Sequence, residues 1–99
     1  MARYDLYAAP DGSGFRLDVQ ADLLDGLATR VVVPVLPLAE APKPAGRLNP
    51  LVAIDGVDCV LVTQFLSAIP VQDLGRRVGS LADQAEAVMA ALDMVFVGF

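Results

Sequence analysis

Polar and apolar residues alternate from the first positions of the chain. Tyr4, Leu6 and Ala8 interleave with Arg3, Asp5 and Tyr7. After Pro10-Asp11-Gly12-Ser13-Gly14 the alternation resumes with Phe15, Leu17 and Val19 against Arg16, Asp18 and Gln20. A period of two on both sides of a turn-forming cluster predicts a β-hairpin. Thr29 to Leu36 is β-branched and apolar at both parities, which predicts a strand buried on both faces or lying under a partner. Pro34 has no N–H to give to a ladder, so it is expected at a bulge or an edge. Residues 39–47 show no periodicity and hold two close prolines, and they read as an exposed loop. Leu51 to Ile54 and Val57 to Val62 then flank Asp55-Gly56, a pair that tolerates the positive φ angles of a type I′ turn. This second hairpin is the strongest local structural signal in the chain.

Further along, Thr63 to Phe65 reads as a continuation of that strand, and Ile69-Pro70-Val71 as a separate extended piece. Gly75, Arg76-Arg77 and Gly79 read as turns. Ser80 is expected to open a helix, its hydroxyl capping free backbone N–H groups while Asp83 reaches back in a capping box. Leu81, Ala85, Val88, Met89, Leu92 and Phe96 come next at helical spacing, with Asp83, Gln84, Glu86 and Asp93 off that stripe. The sum is one domain over residues 1–99: five or more antiparallel strands closed by a C-terminal helix. That is an α+β, mostly β fold of the SH3-like barrel kind.

Composition narrows the function. Of 99 residues 56% are hydrophobic and 19% charged, an apolar excess that favours a partner surface and makes self-association into a homodimer the default expectation. The net charge is −5 and the seven basic residues are scattered, which argues against direct nucleic-acid binding unless folding gathers Arg16 and Arg30 onto one surface. With no histidine and one cysteine there is no His-based triad, no His metal site and no intrachain disulfide. Cys59 sits in a strand-like apolar run and reads as a small buried hydrophobe. No catalytic residue, metal ligand or cofactor is expected. Asp5 and Tyr4 interrupt what a signal peptide needs, and no run reaches the ~18 apolar residues of a membrane helix, so a cytoplasmic protein without membrane contact is expected.

Two features stand out as candidate binding surfaces. The helix runs into Met94-Val95-Phe96-Val97-Gly98-Phe99 with no polar ending, an arrangement that suits a partner if Val95 and Phe96 face inward while Val97 and Phe99 face out. Asp18-Val19-Gln20-Ala21-Asp22-Leu23-Leu24-Asp25 sets three acids around a Leu-Leu pair. The acids suit a metal or general acid–base work, or a turn in which Asp22 or Asp25 accepts backbone N–H bonds, and the turn is the reading preferred here.

These segments, with Arg30-Val31-Val32-Val33-Pro34, Leu48-Asn49-Pro50, Ile69-Pro70 and the ending from Ala91 to Phe99, come in the order and spacing of the CcdB family of bacterial toxins, which the chain resembles over nearly its whole length. The resemblance implies a homodimeric SH3-like barrel that is not an enzyme. Such a protein poisons DNA gyrase by binding its A subunit and trapping the cleaved-DNA complex, and a CcdA-like antitoxin with a disordered C-terminal segment neutralises it. Carried over by position, it implies a gyrase surface of Leu23, Leu24, Asp93, Phe96, Val97, Gly98 and Phe99. Val97 stands where a Trp is usual, and losing a cation–π stack there forfeits about 0.5–2 kcal/mol per site. Asp93 stands where an Asn is usual and exchanges a donor and acceptor for a negative charge. The alternatives are an endoribonuclease like the MazF toxins, which share the barrel, and a toxin fold that has lost its gyrase target and only binds antitoxin.

Overall fold

A computed structural model describes residues 2–99; Met1, part of the expected 1–99 span, lies outside the described residues. Strand β1 (Asp5–Ala8) pairs antiparallel with β2 (Phe15–Asp18), as the alternation predicted, Leu6 facing Leu17 and Tyr7 facing Arg16. The turn between them is closed by Gly12 N–H to Ala9 O and by the Asp11 carboxylate, which accepts from the Ser13 N–H and hydroxyl. The long β3 (Thr29–Pro37) is next, then the hairpin of β4 (Leu51–Ile54) and β5 (Val57–Leu61). Its turn has φ +52° at Asp55 and +79° at Gly56, the two positive angles the dipeptide announced. The remaining elements are β6 (Ser67–Pro70), β7 (Arg77–Ser80) and helix α1 (Ala85–Phe96).

The seven strands form one curled, half-barrel sheet in the order β4-β5-β3-β2-β1-β7, with β6 also on β3. Strand β3 is the hub. Along one edge it holds β2, and along the other it holds β6 at residues 29–32 and β5 at residues 35–37. Pro34 lies at neither a bulge nor a sheet edge. It sits where the second partner changes from β6 to β5, a place where a missing N–H costs little, and its carbonyl accepts from Val62 N–H at 2.9 Å.

Leu6, Leu17, Val19, Val33, Val35, Val52, Ile54, Cys59 and Leu61 fill the concave face, and Leu81, Val88 and Leu92 close it. Val32 points the other way, into a second small cluster with Tyr7, Leu74 and Ile69, so β3 is buried on both faces as its composition predicted. The hairpin alternation alone would leave Asp5 and Tyr7 in water. Both are buried: Ile69 and Leu74 pack with Tyr7, and Asp5 accepts the Ala2 N–H at 2.9 Å and meets the Arg77 guanidinium at 3.0 Å.

Three further local expectations fail. Thr63–Phe65 is a 3-10 turn, with Thr63 Oγ1 donating to Leu48 O at 2.6 Å. Arg77–Ser80 is a strand, since Leu6 and Gly79 pair across it despite the glycines. Ser80 opens no helix and forms no capping box with Asp83: its hydroxyl accepts from Ala82 N–H at 3.1 Å ahead of a 3-10 turn at Ala82–Gln84, and α1 starts only at Ala85, both without a side-chain cap.

Gly14 gives a direct test. Its φ is +116°, and an added Cβ would stand 2.5 Å from Val35 O, a backbone atom of the hub strand that cannot swing aside. Gly14→Ala is expected to lower unfolding free energy by about 1–3 kcal/mol in urea titrations, whereas Gly12→Ala, with open space around it, is expected to cost less.

Candidate functional site

The segment from Asp18 to Arg30 is built around a buried ion pair. Arg30 on β3 and Asp18 at the end of β2 are both fully shielded from solvent. Nε and Nη2 of Arg30 each lie 2.8 Å from Asp18 Oδ2. Nη2 also reaches Gln20 O and Nη1 reaches Asp25 Oδ1, both at 3.4 Å. The second oxygen of Asp18 accepts from Gln20 N–H at 3.0 Å. This pairing raises the Arg30 pKa, the hydrogen bond to Asp18 being the main cause.

Gln20 completes the frame. Its Nε2 donates to Leu24 O and Thr29 O, both at 3.2 Å, while Oε1 accepts from Val31 N–H at 3.0 Å. One side chain therefore clamps both ends of the loop between β2 and β3. Among the described residues no buried side-chain N or O lacks a partner, which is what makes a buried charge tolerable.

The loop so held carries a 3-10 turn at Asp22–Leu24. Leu23 is 94% exposed, and Leu24 is the less exposed of the two. The acids of the segment are structural. Asp18 and Asp25 serve Arg30, and Asp22 Oδ1 accepts the Arg3 backbone N–H at 2.7 Å. No group of three His, Cys, Asp or Glu side chains among the described residues is placed to hold a metal.

Helix α1 brings the second half. Its C-terminus is capped by Gly98 at φ +87°, with Val97 N–H and Gly98 N–H both donating to Asp93 O at 2.7 and 3.1 Å. Phe96 departs from expectation: it is 70% exposed, with Val95 half-buried, because the apolar stripe of Val88 and Leu92 reaches the edge of the sheet one turn before it. Val97 and Phe99 are exposed, as is Asp93.

Of the seven residues implicated by sequence, Leu24, Asp93 and Phe96 line one groove of about 360 Å³. Leu23 stands beside it on the loop, and Val97, Gly98 and Phe99 continue from α1. Arg3 and Met89 are among the lining residues outside that set. Arg3 donates from Nε to Val19 O at 3.1 Å and from Nη2 to Met89 Sδ at 2.7 Å, so it ties β2 to α1 along the groove. Neither contact leaves a local sequence signal, since they join residues 16 and 86 positions apart.

Folding does not gather Arg16 and Arg30. Arg30 is buried, and Arg16 donates to Asp73 O beside a separate pocket of about 370 Å³ whose lining includes Ser13, Phe15, Pro34, Ser67 and Ile69. The Leu48-Asn49-Pro50 motif is structural as well: Asn49 Nδ2 donates to Leu61 O and Gln64 Oε1 at 3.0 and 2.8 Å.

The CcdB protein family matches residues 3–98 of this sequence. The chain belongs to the CcdB family. Among solved structures it is similar to the Mycobacterium tuberculosis toxin MazF-mt6, with TM-score 0.73 at 22% identity over 93% of this chain and 95% of the other. It is also similar to an endoribonuclease from a mycobacterial species, with TM-score 0.77 at 13% identity over 96% and 89%. A third is an endoribonuclease in complex with its cognate antitoxin, also mycobacterial, with TM-score 0.76 at 13% identity over 96% and 93%. At these identities the likeness is one of fold. Family and fold together make the CcdB-family chain a toxin of the toxin–antitoxin class. The expectation that it is not an enzyme is overturned here, because two of these proteins that share its fold are named as endoribonucleases.

Two outcomes test the site's construction. Arg30→Met strands the Asp18 carboxylate in the interior and is expected to cost about 3–5 kcal/mol in chemical denaturation, whereas the double change Asp18→Leu/Arg30→Met recovers a large part of that loss. Cys59 is buried with its thiol pKa pushed up, desolvation first and the Asp58 charge second. Raising a thiol pKa shrinks the thiolate fraction at pH 8, so a thiol reagent is expected to label native Cys59 at least about tenfold more slowly than the unfolded chain.

Proposed function

We propose that this toxin binds the A subunit of DNA gyrase through Leu23, Leu24, Asp93, Phe96, Val97, Gly98 and Phe99 and holds the enzyme on cleaved DNA, acting as a homodimer and neutralised by a CcdA-like antitoxin. The observation that carries the reading is the meeting of two segments about seventy positions apart around one groove, each presenting apolar side chains to solvent. Leu23, Leu24, Phe96, Val97 and Phe99 are all exposed, an arrangement that costs hydration unless a partner covers it. Covering a Phe of this exposure returns about 1.5–3 kcal/mol, so a few such residues suffice for a specific contact.

The residues also say how such a surface works. A ligand shifts an enzyme toward one state only by binding that state better, so poisoning requires the surface to fit gyrase holding cut DNA. Rigid presentation helps. The Asp18–Arg30–Gln20 frame fixes the Leu23-Leu24 turn, and the Gly98 cap fixes the direction in which Phe99 leaves α1. Val97 offers no aromatic face, which leaves Phe96 and Phe99 as the aromatic contacts. Asp93, exposed at the groove, adds a negative charge that suits a basic counterpart.

A second reading has its own observation. The pocket beside Arg16 sets a guanidinium among the hydroxyl-bearing residues Ser13 and Ser67, groups that suit a phosphate, and the fold neighbours include named endoribonucleases. Against it, hydrogen bonds from Ser13 hold the Asp11 carboxyl below the usual carboxylate range, which makes it a weak base.

One assay separates the two. Purified protein with gyrase and supercoiled plasmid is expected to yield linear DNA, about tenfold less with Leu23→Ala or Phe99→Ala, and unchanged with Arg16→Ala. Intact plasmid at micromolar protein, together with RNA degradation that Arg16→Ala abolishes, would put the RNA reading in its place.

A further inference from the structure

The two halves of the exposed face lie far apart in sequence, and hydrogen bonds join them through a single residue. The loop has its own frame in Gln20 and Arg30, and the end of α1 has its own cap at Gly98. Neither frame reaches the other. Among the described residues, the bond from Arg3 Nη2 to Met89 Sδ at 2.7 Å is the one that joins α1 to a segment distant in sequence. On the other side, the Arg3 N–H donates to Asp22 Oδ1 at 2.7 Å, and Nε donates to Val19 O, just after β2, at 3.1 Å. One residue thus holds the loop with its backbone and the helix with its side chain.

The chain adopts a costly backbone to put Arg3 there. Residues 2–5 form a turn closed by Asp5 N–H to Ala2 O at 3.0 Å, with the Ala2 N–H on Asp5 Oδ2 at 2.9 Å. Tyr4, the third residue of that turn, has φ +73°, a left-handed angle that favours glycine or asparagine. A bulky residue stays in that region only where its surroundings over-determine it. Here Tyr4 N–H donates to Asp18 O at 2.6 Å, Leu81 N–H donates to Tyr4 O at 2.8 Å, and the Arg3 guanidinium lies 5.1 Å from the centroid of the Tyr4 ring. The charges around Arg3 fit the same role. The ion pairs among the described residues involve Arg30 and Arg77, so no carboxylate among them lies within 4 Å of the Arg3 guanidinium. Asp93 nevertheless lines the groove with it, and Asp22 adjoins its backbone. A guanidinium with Nε and Nη2 committed to a carbonyl and a thioether, in the company of two acids, is set as a brace and not as an open site for an acidic ligand.

We infer that Arg3 is a positioning residue for this face: through Met89 it fixes the Leu23-Leu24 loop relative to the end of α1, so that both halves meet a partner as one preorganised surface. The inference rests on the reading that the face binds the gyrase A subunit, while the coupling itself exists in the unbound protein. Without the link, each half keeps its own frame and loses its place relative to the other. The contacts that each half can make are then unchanged, but a partner touching both must order them on binding, a cost the native chain meets on folding.

The test reads binding of a gyrase A fragment to the full chain by titration calorimetry and, in the unbound protein, the amide shifts of the loop. Arg3→Met keeps an apolar stem and the backbone bond to Asp22 but drops the link to α1, and it is expected to weaken binding about tenfold. Met89→Leu drops the same link from the other end and is expected to match that loss, with no further loss in the double variant. Met89→Gln gives Arg3 an oxygen acceptor in place of the sulfur and is expected to stay within about twofold of the native chain. In the unbound protein the Asp22 and Leu23 amides are expected to shift with Met89→Leu, and to stop responding to it when Arg3→Met is also present. Should Arg3→Met melt early, Met89→Leu and Met89→Gln carry the comparison. A loss with Arg3→Met that Met89→Leu does not share, losses that add in the double variant, or loop amides that ignore Met89→Leu would each overturn the inference. A native chain that leaves gyrase unbound overturns the gyrase reading alone, and the amide response then decides this one.

Discussion

The Asp18–Arg30 pair is the constraint on which the rest of the working face depends. Both partners are shut away from water, and neither is a bystander: Asp18 ends β2, Arg30 starts the buried run of β3, and the loop between them is the one that carries Leu23 and Leu24. An isolated charge in that position would be severely destabilising, so the pair requires the N–H and the carbonyl of Gln20 to be where they are. The consequence runs outward. A loop that would otherwise be free to reorient is held at both ends, and an exposed leucine pair is presented with its ordering cost already met on folding.

The other half of the face comes from the end of α1 and is held by different means. Leu92 is the last helix residue that reaches the core, and Phe96, one turn on, passes the edge of the sheet. What the helix loses in burial it gives to the groove, where Phe96 and Leu24 form opposite lips. Arg3 joins the two halves from below, its backbone on the loop and its side chain on Met89 of α1. The surface is thus composite, and a change on either half alters it as a whole.

Much of this was legible in the residues, and the exceptions have physical causes. Alternation placed β1, β2, β4 and β5, and Asp55-Gly56 announced both positive φ angles, because these signals are local. Strand β7 was hidden behind Gly75 and Gly79, since glycine marks a turn in sequence but pairs in a ladder when its neighbour on β1 requires it. Phe96 was assigned to the buried stripe because periodicity carries no information about where the sheet stops. Arg30 looked like one of seven scattered surface cations. Only the fold brings it to Asp18, and that contact, with the Arg3–Met89 contact, is long-range and leaves no periodic trace. The groove itself was legible as two candidate segments and not as one site.

The central proposal is that the Leu23-Leu24 loop and the residues from Asp93 to Phe99 act as one surface for a gyrase A subunit. Its most direct test is an amide chemical-shift map of isotope-labelled protein titrated with an unlabelled gyrase A fragment. Perturbations are expected to concentrate at residues 20–25 and 93–99 and to saturate together, with little change around Ser13, Arg16 and Ser67. A map centred on Arg16 and Ser67, or one that leaves both the loop and the end of α1 untouched, would contradict it.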